Sequence, residues 1–171
     1  VYFRGRIYGS ENVPHQGPLL VVSNHASYFD PPLLSSAIGR PVAYMAKAEL
    51  FDVPVLSPAI RLYGAYPVTR ETGDRSALRS ALSRLDGGWA VGIFLQGSRT
   101  ADARIPSPKL GAALIAAKAR VPLLPVSLWG TQEILRSSVP RPAPITIRIG
   151  EPISPPQSSD RTELKAITQR C

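Results

Sequence analysis

The sequence predicts an α/β fold, a single domain in which helices cover a mostly parallel or mixed central sheet. Short apolar runs rich in β-branched residues recur at 19–23, 90–95 and 123–129, and such runs are typical of strands buried on both faces. Segments with helical spacing of apolar residues lie between them, at 74–86 and 109–120. This alternation builds helices onto a parallel sheet, and 171 residues fit one domain with a sizeable core.

The first half of the chain contains a joint between a strand and a helix. Leu19–Ser23 predicts a buried strand, and a helix is expected to begin at Asp30. Asp30 suits the N-cap position, and Pro31 has no N–H to leave unpaired in the first turn. The other elements expected here are a strand-like start at 1–3, a short strand at 41–46, a turn of helix at 47–51 and apolar connecting structure at 54–63 that suits contact with lipid.

The second half alternates helices and strands. The 74–86 segment carries apolar residues at helical spacing, with Asp74 at its start and Gly87 at its end. An alternating strand is expected at 145–149, with Thr146 and Arg148 on one face. We expect residues 1–152 to form the domain. The Pro/Ser-rich segment and terminal helix at 153–171 are expected to pack on that domain or to trail it.

Charge and composition exclude several function classes. The net charge of +8 and a pI near 10.1 indicate anionic partners. Aromatic and basic residues do not interleave as in a base-stacking surface, so anionic lipid or a phosphorylated substrate is preferred to nucleic acid. Two histidines without a cluster of other ligands argue against a metal. A single cysteine, Cys171, rules out an internal disulfide and fits a reducing compartment. Signature motifs of serine hydrolases, P-loop proteins and dinucleotide-binding proteins are missing.

The strongest candidate for chemistry is the stretch Asn24-His25-Ala26-Ser27-Tyr28-Phe29-Asp30. His25 follows the carboxyl end of a predicted strand, and a turn before the helix can bring Asp30 back to it. An aspartate that accepts from one imidazole nitrogen fixes the tautomer and leaves the other nitrogen to take a proton from a hydroxyl. The alternative is that Asp30 only caps a helix and His25 is a polar loop residue. The spacing alone favours that alternative.

Four ordered sequence blocks support the chemical interpretation. The stretch 24–30 resembles the N-H-x4-D motif of the glycerolipid acyltransferase family, whose members include 1-acyl-sn-glycerol-3-phosphate acyltransferases. The other family-like blocks follow in order: Gly64-Ala65-Tyr66-Pro67-Val68-Thr69-Arg70, Phe94-Leu95-Gln96-Gly97-Ser98-Arg99-Thr100 and Val121-Pro122-Leu123-Leu124-Pro125-Val126. The resemblance extends to about Pro152, so residues 1–152 are expected to be an acyltransferase domain.

The resemblance implies transfer of a fatty acyl group from an acyl thioester to a lysophospholipid hydroxyl. His25 would be the general base and Asp30 its partner, with no cofactor besides the co-substrate, acyl-CoA or acyl carrier protein. Lysophosphatidic acid, giving phosphatidic acid, is the expected acceptor. The alternatives are another lysolipid or glycolipid acceptor, or a catalytically silent domain that binds anionic lipid.

The resemblance also implies a set of binding residues. Arg70 and Arg99 would contact the acceptor phosphate. Other expected contacts with substrate are Asn24, Gln96, Gly97 and Ser98, and the expected acyl or hydrophobic contacts are Val121, Pro122 and Pro125. Where the family reads F-P-E-G-T-R-S, this chain has Gln96 in place of the carboxylate, which leaves the usual acceptor contact open.

The expected location is the cytoplasmic face of a membrane. The longest apolar stretches, around 91–95 and 110–117, are far shorter than the ~20 residues that cross a bilayer. Basic side chains near an anionic surface contribute ~1 kcal/mol each, which predicts reversible, peripheral attachment. The chain starts with Val rather than Met, which leaves room for an N-terminal membrane anchor outside it.

Overall fold

The computed structural model describes residues 4–54, 56–62, 64–68, 73–100, 102–134 and 141–171. These residues contain a single sheet of seven strands in the order β1-β7-β6-β2-β5-β3-β4. The strands are β1 (Arg4–Tyr8), β2 (Leu19–Ser23), β3 (Val42–Lys47), β4 (Tyr66–Val68), β5 (Ala90–Phe94), β6 (Leu123–Trp129) and β7 (Pro144–Ile149). All neighbouring pairs are parallel except β6 and β7. The predicted α/β class with a mixed sheet is confirmed.

Helices cover both faces of this sheet. They are α1 (Asp30–Ile38), α2 (Leu56–Leu62), α3 (Gly73–Asp86), α4 (Gly111–Ala119) and α5 (Arg161–Arg170). Short 3-10 turns lie at Ser10–Asn12, Ala48–Phe51 and Thr131–Glu133. Among these residues, no helix combines the length and apolar character needed to cross a membrane.

One segment differs from the sequence-based expectation. The region expected to be apolar connecting structure contains α2. The helix tolerates Pro58 because this residue lies in the first turn, where backbone N–H groups have no helical partner to lose. The strand-like start at Val1–Phe3 lies outside the described residues, and β1 begins at Arg4.

The core has two layers, one on each face of the sheet. Leu19 and Val21 pack with α1 on one face, whereas Leu20 and Val22 pack with α3, α4 and α5 on the other. Every residue of β2 is therefore buried, which explains its continuous apolar sequence.

The segment 153–171 packs on the same core as the rest of the chain. Ile153 pairs with Leu123 through two backbone hydrogen bonds of 2.7 and 2.9 Å. Leu164 and Ile167 of α5 are buried with α4. The Cys171 thiol donates to Ile167 O at 3.3 Å, and burial raises its pKa to about 11, so it is protonated at neutral pH.

The central strands place two of the family-like blocks at one end of the sheet. Ser23 of β2 lies level with Phe94 of β5 and with Val126 of β6. His25 and Gln96 therefore both follow the carboxyl ends of adjacent parallel strands, where ligand sites of open α/β sheets occur.

Candidate active site

His25 and Asp30 form a direct pair in the turn between β2 and α1. The His25 Nδ1 and Asp30 Oδ2 atoms are 2.7 Å apart. The histidine side chain is 17% exposed, whereas that of Asp30 is fully buried. The sequence-based expectation that the turn brings these side chains together is correct.

Asp30 does not have the N-cap role predicted for it. The structure places Phe29 at the N-cap and Asp30 as the first helical residue. Its Oδ2 atom turns back and accepts from the backbone N–H groups of Ala26 and Ser27, each at 2.7 Å, in addition to His25. Because Pro31 and Pro32 occupy the first turn, two of the N–H groups that a cap would serve are missing. The carboxylate thus orients both the imidazole and the loop that carries it.

The His25 ring is held in plane by an aromatic neighbour. It stacks on Phe94 with ring centroids 3.8 Å apart and an interplanar angle of 12°. Phe94 in turn stacks on Tyr44 at 5.8 Å. With Nδ1–H donating to Asp30, the Nε2 atom carries the lone pair, and it makes no hydrogen bond to any described residue. The arrangement provides a base with one open nitrogen.

Asn24 links the end of β2 to two other segments. Its Nδ2 donates to Leu128 O at 2.8 Å and to Ala103 O at 3.2 Å, and its Oδ1 accepts from Leu128 N at 2.7 Å. The side chain is buried. All of these partners are backbone groups, so this geometry supports a role in steadying the loop, and the predicted contact with substrate stays a prediction.

Gln96 lies directly against the backbone of His25. Its Oε1 accepts from His25 N at 2.9 Å. Its Nε2 lies within donating distance of Thr100 Oγ1 at 3.1 Å, Arg104 O at 3.2 Å and His25 O at 3.4 Å. The side chain is 9% exposed. Its polar atoms therefore face protein groups rather than an open acceptor site.

Arg99 packs against Tyr28, which belongs to the loop between His25 and Asp30. Its guanidinium carbon is 3.4 Å from the centre of the Tyr28 ring, a cation–π contact. Gly97, with a φ of +75°, makes the turn that precedes it. A Cβ at Gly97 would lie 2.7 Å from Lys109 Nζ, so the neighbour that approaches this glycine is Lys109. Ser98 is exposed on the same turn.

Two of the predicted apolar contacts, Val121 and Pro122, lie far from His25. Leu20 of β2 lies level with Leu123 of β6, so Val121 and Pro122 lie at the amino edge of the sheet. At about 3.3 Å per residue, they are some 20 Å from His25 along the strands. Val121 is 3% exposed, which agrees with a buried strand lead-in, and Pro125 lies within β6 against Gly150. Val121 and Pro122 are therefore remote from a substrate at His25, and the predicted binding role of Pro125 stays a prediction. Arg70 lies outside the described residues.

Sequence analysis missed the residues that hold the site together. Tyr28, Phe94 and Thr100 lie inside the quoted blocks, but only the structure shows that they contact Arg99, His25 and Gln96. Ala103 and Leu128 contribute only backbone atoms, and such contacts leave no side-chain signal in a sequence. In the described part of the chain, no group of three or more His, Cys, Asp or Glu side chains is arranged as metal ligands would be.

Comparison with known proteins agrees with this geometry. A family model described as Acyltransferase matches residues 4–129. A chloroplastic 1-acyl-sn-glycerol-3-phosphate acyltransferase of Brassica napus is 33% identical over 137 residues, which cover 78% of this chain and 40% of that protein. The 1-acyl-sn-glycerol-3-phosphate acyltransferase of Bacillus subtilis is 30% identical over 73% of this chain and 62% of its own length. The chain therefore spans only about 40–60% of these two curated relatives.

A solved structure is similar over nearly the whole chain. The crystal structure of the 1-acyl-sn-glycerophosphate acyltransferase PlsC from Thermotoga maritima superimposes with a TM-score of 0.78 at 30% identity, and the match covers 99% of this chain and 71% of that one. The resemblance noted in the sequence is thereby confirmed. With a histidine–aspartate pair in place, a family model over most of its length and this shared fold, the chain belongs to the acyltransferase family.

Proposed function

We propose that this chain transfers a fatty acyl group from an acyl thioester to the hydroxyl of a lysophospholipid, with lysophosphatidic acid as acceptor and phosphatidic acid as product. The observation that carries the proposal is the 2.7 Å contact between His25 Nδ1 and Asp30 Oδ2, which leaves Nε2 open at the strand end. Relatives named as 1-acyl-sn-glycerol-3-phosphate acyltransferases support the choice of acceptor.

His25 acts as the general base in this mechanism. Its Nε2 takes the proton from the acceptor hydroxyl as that oxygen attacks the thioester carbonyl. The tetrahedral intermediate then collapses, the C–S bond breaks, and the departing sulfur takes the proton from the imidazolium. The acceptor oxygen is itself the nucleophile, so no covalent acyl-enzyme is required. Asp30 stabilises the imidazolium that forms.

The N–H groups of the first residues after β2 already have acceptors within the protein, so we do not assign the oxyanion to them. The N–H of His25 donates to Gln96, and those of Ala26 and Ser27 donate to Asp30. The Asn24 amide is engaged with Leu128 and Ala103. Asn24 accordingly steadies the loop.

The acceptor phosphate binds at Arg99 in this proposal, together with Arg70. A guanidinium fork matches phosphate geometry and stays charged at any working pH. Stacking on Tyr28 supports this role, because it holds the Arg99 guanidinium beside the turn that carries His25. Ser98 and Gly97 belong to the same turn.

The acyl chain is assigned to an apolar cavity beside Asn24, since Val121 and Pro122 are displaced from His25. The cavity has a volume of about 220 Å³. Its apolar lining includes Leu95, Ile105, Val126 and Leu128. The acyl donor is acyl-CoA or acyl-acyl carrier protein, and no further cofactor takes part.

The chain acts at an anionic membrane surface, on its cytoplasmic face, as a peripheral protein. The net charge of +8 supports this partner. Vesicles that contain an anionic phospholipid should retain the chain at low salt and release it as salt increases, because surface charge is screened.

The direct test is a radiolabelled acyl-transfer assay of the purified chain, with a panel of lysolipids and with each donor in turn. Formation of phosphatidic acid from lysophosphatidic acid supports the proposal. Transfer only to another lysolipid would keep the chemistry and change the acceptor. Lipid binding without transfer to any acceptor would overturn the enzymatic proposal in favour of a silent lipid-binding domain.

A further inference from the structure

The Gln96 side chain continues the hydrogen bonding between β2 and β5 beyond the ends of these strands. The last backbone contact between them is Leu95 N to Ser23 O at 2.9 Å. At His25, the side-chain oxygen of Gln96 takes the place of a backbone carbonyl of β5 and accepts from His25 N at 2.9 Å. The His25 carbonyl is held from the other side by Thr100 N at 2.9 Å. Both peptide groups of His25 are thus fixed by this one turn.

The partners of the Gln96 amide determine which of its atoms is oxygen and which is nitrogen. The group facing His25 N–H must be an acceptor. The other end lies 3.2 Å from Arg104 O and 3.4 Å from His25 O, and a carbonyl oxygen only accepts. That end must therefore be the NH₂ group. A carboxylate could satisfy the first contact, but it has no proton for the others.

The same geometry commits both ends of the Gln96 amide to protein partners. The two N–H bonds of Nε2 are directed among Thr100, Arg104 and His25. The side chain is buried at 9% exposure. A glycerol hydroxyl that accepted from Nε2 would have to displace one of these contacts.

We propose that Gln96 is a positioning residue, which holds the peptide of His25 so that Nε2 meets the acceptor hydroxyl, and that it does not contact the acceptor. The proposal rests on the proposed function in that His25 is the base. It also explains why Gln96 stands where the family pattern F-P-E-G-T-R-S has a glutamate. The neutral amide serves the local fold of this chain, and it does not select a different acceptor.

The test compares Gln96→Met, Gln96→Glu and wild type in kinetics that vary acceptor and donor separately. Gln96→Met keeps the length of the side chain and removes its hydrogen bonds. Misplacing a catalytic group by about 1 Å can cost ~10²-fold, so kcat should fall ~10- to 100-fold, while the KM for lysophosphatidic acid stays within about twofold. The matched control is Gln169→Glu on α5, which is exposed and should leave both constants unchanged.

Gln96→Glu adds a readout in pH. A buried carboxyl facing two carbonyl oxygens should have a raised pKa, and its protonated form donates as the amide does. The stability lost in this variant should therefore be small at pH 4 and should grow as pH rises through the folded pKa. If Gln96→Met does not fold, as judged by circular dichroism, this variant carries the kinetic test as well.

Hydrogen exchange of the His25 amide separates this proposal from the proposed function. Exchange should be faster in Gln96→Met than in wild type, whether or not the chain transfers acyl groups. A wild-type chain without transferase activity would overturn the proposed function. The exchange rates alone would then show whether Gln96 holds the His25 peptide in place. A raised KM for lysophosphatidic acid with an unchanged kcat would make Gln96 an acceptor contact. That result, or unchanged kinetics and exchange, would overturn the positioning role.

Discussion

A single carboxylate oxygen organises the turn between β2 and α1. Asp30 Oδ2 accepts from the His25 imidazole and from two backbone N–H groups, all at 2.7 Å. The other oxygen, Oδ1, is buried without a hydrogen-bond partner among the described residues. Asparagine cannot reproduce this arrangement, because its NH₂ group would face either three donors or a site that offers it no acceptor.

His25→Ala should abolish transfer while the chain stays folded. A positioned general base contributes ~10²–10⁴-fold, and the partly exposed ring can be removed at little cost to the core. Asp30→Asn should be nearly as damaging to activity and should also lower the free energy of unfolding by about 1–3 kcal/mol, because it leaves a buried polar group unsatisfied. The measurements are turnover and urea unfolding.

The matched control for the base is His15→Ala, since His15 is exposed on a loop. It should keep wild-type activity. If His25→Ala retained more than about a tenth of wild-type turnover, the assignment of the base would be wrong.

Arg99→Ala should weaken binding of the phosphorylated acceptor far more than binding of the thioester donor. Loss of a charged bidentate contact costs about 1.5–3 kcal/mol, which corresponds to a roughly ten- to hundredfold higher KM for lysophosphatidic acid. Arg148→Ala is the control, because Arg148 also lies over a tyrosine ring, Tyr8, at 5.2 Å. An equal effect of Arg99→Ala on both substrates would remove Arg99 from the acceptor site.

Tyr28→Ala should raise the acceptor KM by a smaller factor, whereas Tyr28→Phe should keep it near the wild-type value. The Tyr28 ring is 63% exposed, and exposed cation–π contacts contribute about 0.5–1 kcal/mol, or roughly two- to fivefold. Equal losses in both variants would show that the hydroxyl, rather than the ring face, is what Arg99 or the substrate needs.

At the scale of elements, β5 carries the surface on which the His25 ring rests. Tyr44 of β3 lies level with Gly92 of β5, and its ring covers this glycine so closely that an added Cβ would lie 2.1 Å from Tyr44 Cε1. From there the rings of Tyr44, Phe94 and His25 stack in series. The glycine therefore provides space for the support of the base.

Gly92→Ala should destabilise the chain by about 1–3 kcal/mol, as overpacking of a filled core does, and should lower kcat because Tyr44 and Phe94 must move. Chemical denaturation and initial rates measure the two effects. The control is Gly111→Ala at the start of α4, where an added Cβ meets nothing within 4 Å. That change should alter stability by no more than about 1 kcal/mol. Unchanged stability in Gly92→Ala would show that Tyr44 relaxes freely.

At the scale of the whole molecule, buried tyrosines should limit stability at alkaline pH. Burial raises the pKa of Tyr44 and of Tyr66 well above the usual value near 10. The unfolded chain releases these protons near pH 10, whereas the folded chain keeps them. Stability is therefore full below that pH, and it falls above it by up to ~1.4 kcal/mol per pH unit for each group.

Tyr44→Phe should make this alkaline decline less steep, because one of the two groups no longer titrates. The measurement is the free energy of unfolding at several pH values between 9 and 11.5. Tyr8→Phe, at an exposed tyrosine, is the control for the substitution itself. An identical slope in Tyr44→Phe and wild type would contradict the burial argument.

Sequence alone determined most of the strands and helices and the candidate chemistry where β2 meets α1. The all-buried β2 and the apolar face of α3 follow from periodicities within a few residues. The His25–Asp30 pair could be predicted for the same reason, since its members are only five residues apart in the sequence. In contrast, α2 was missed because Pro58 suggests a break in a helix, although it lies in the first turn, where N–H groups have no helical partner to lose.

Only the tertiary structure decided what surrounds that pair. Gln96 is 71 residues from His25, and Asn24 is 104 residues from Leu128. These groups meet because β2 pairs in parallel with both β5 and β6. The same strand order leaves Val121 and Pro122 at the opposite edge from His25, although their sequence matches a family block. Local propensity fixes which residues form a strand, but burial of both faces across the whole sheet fixes which strands are neighbours, and so which side chains share a site.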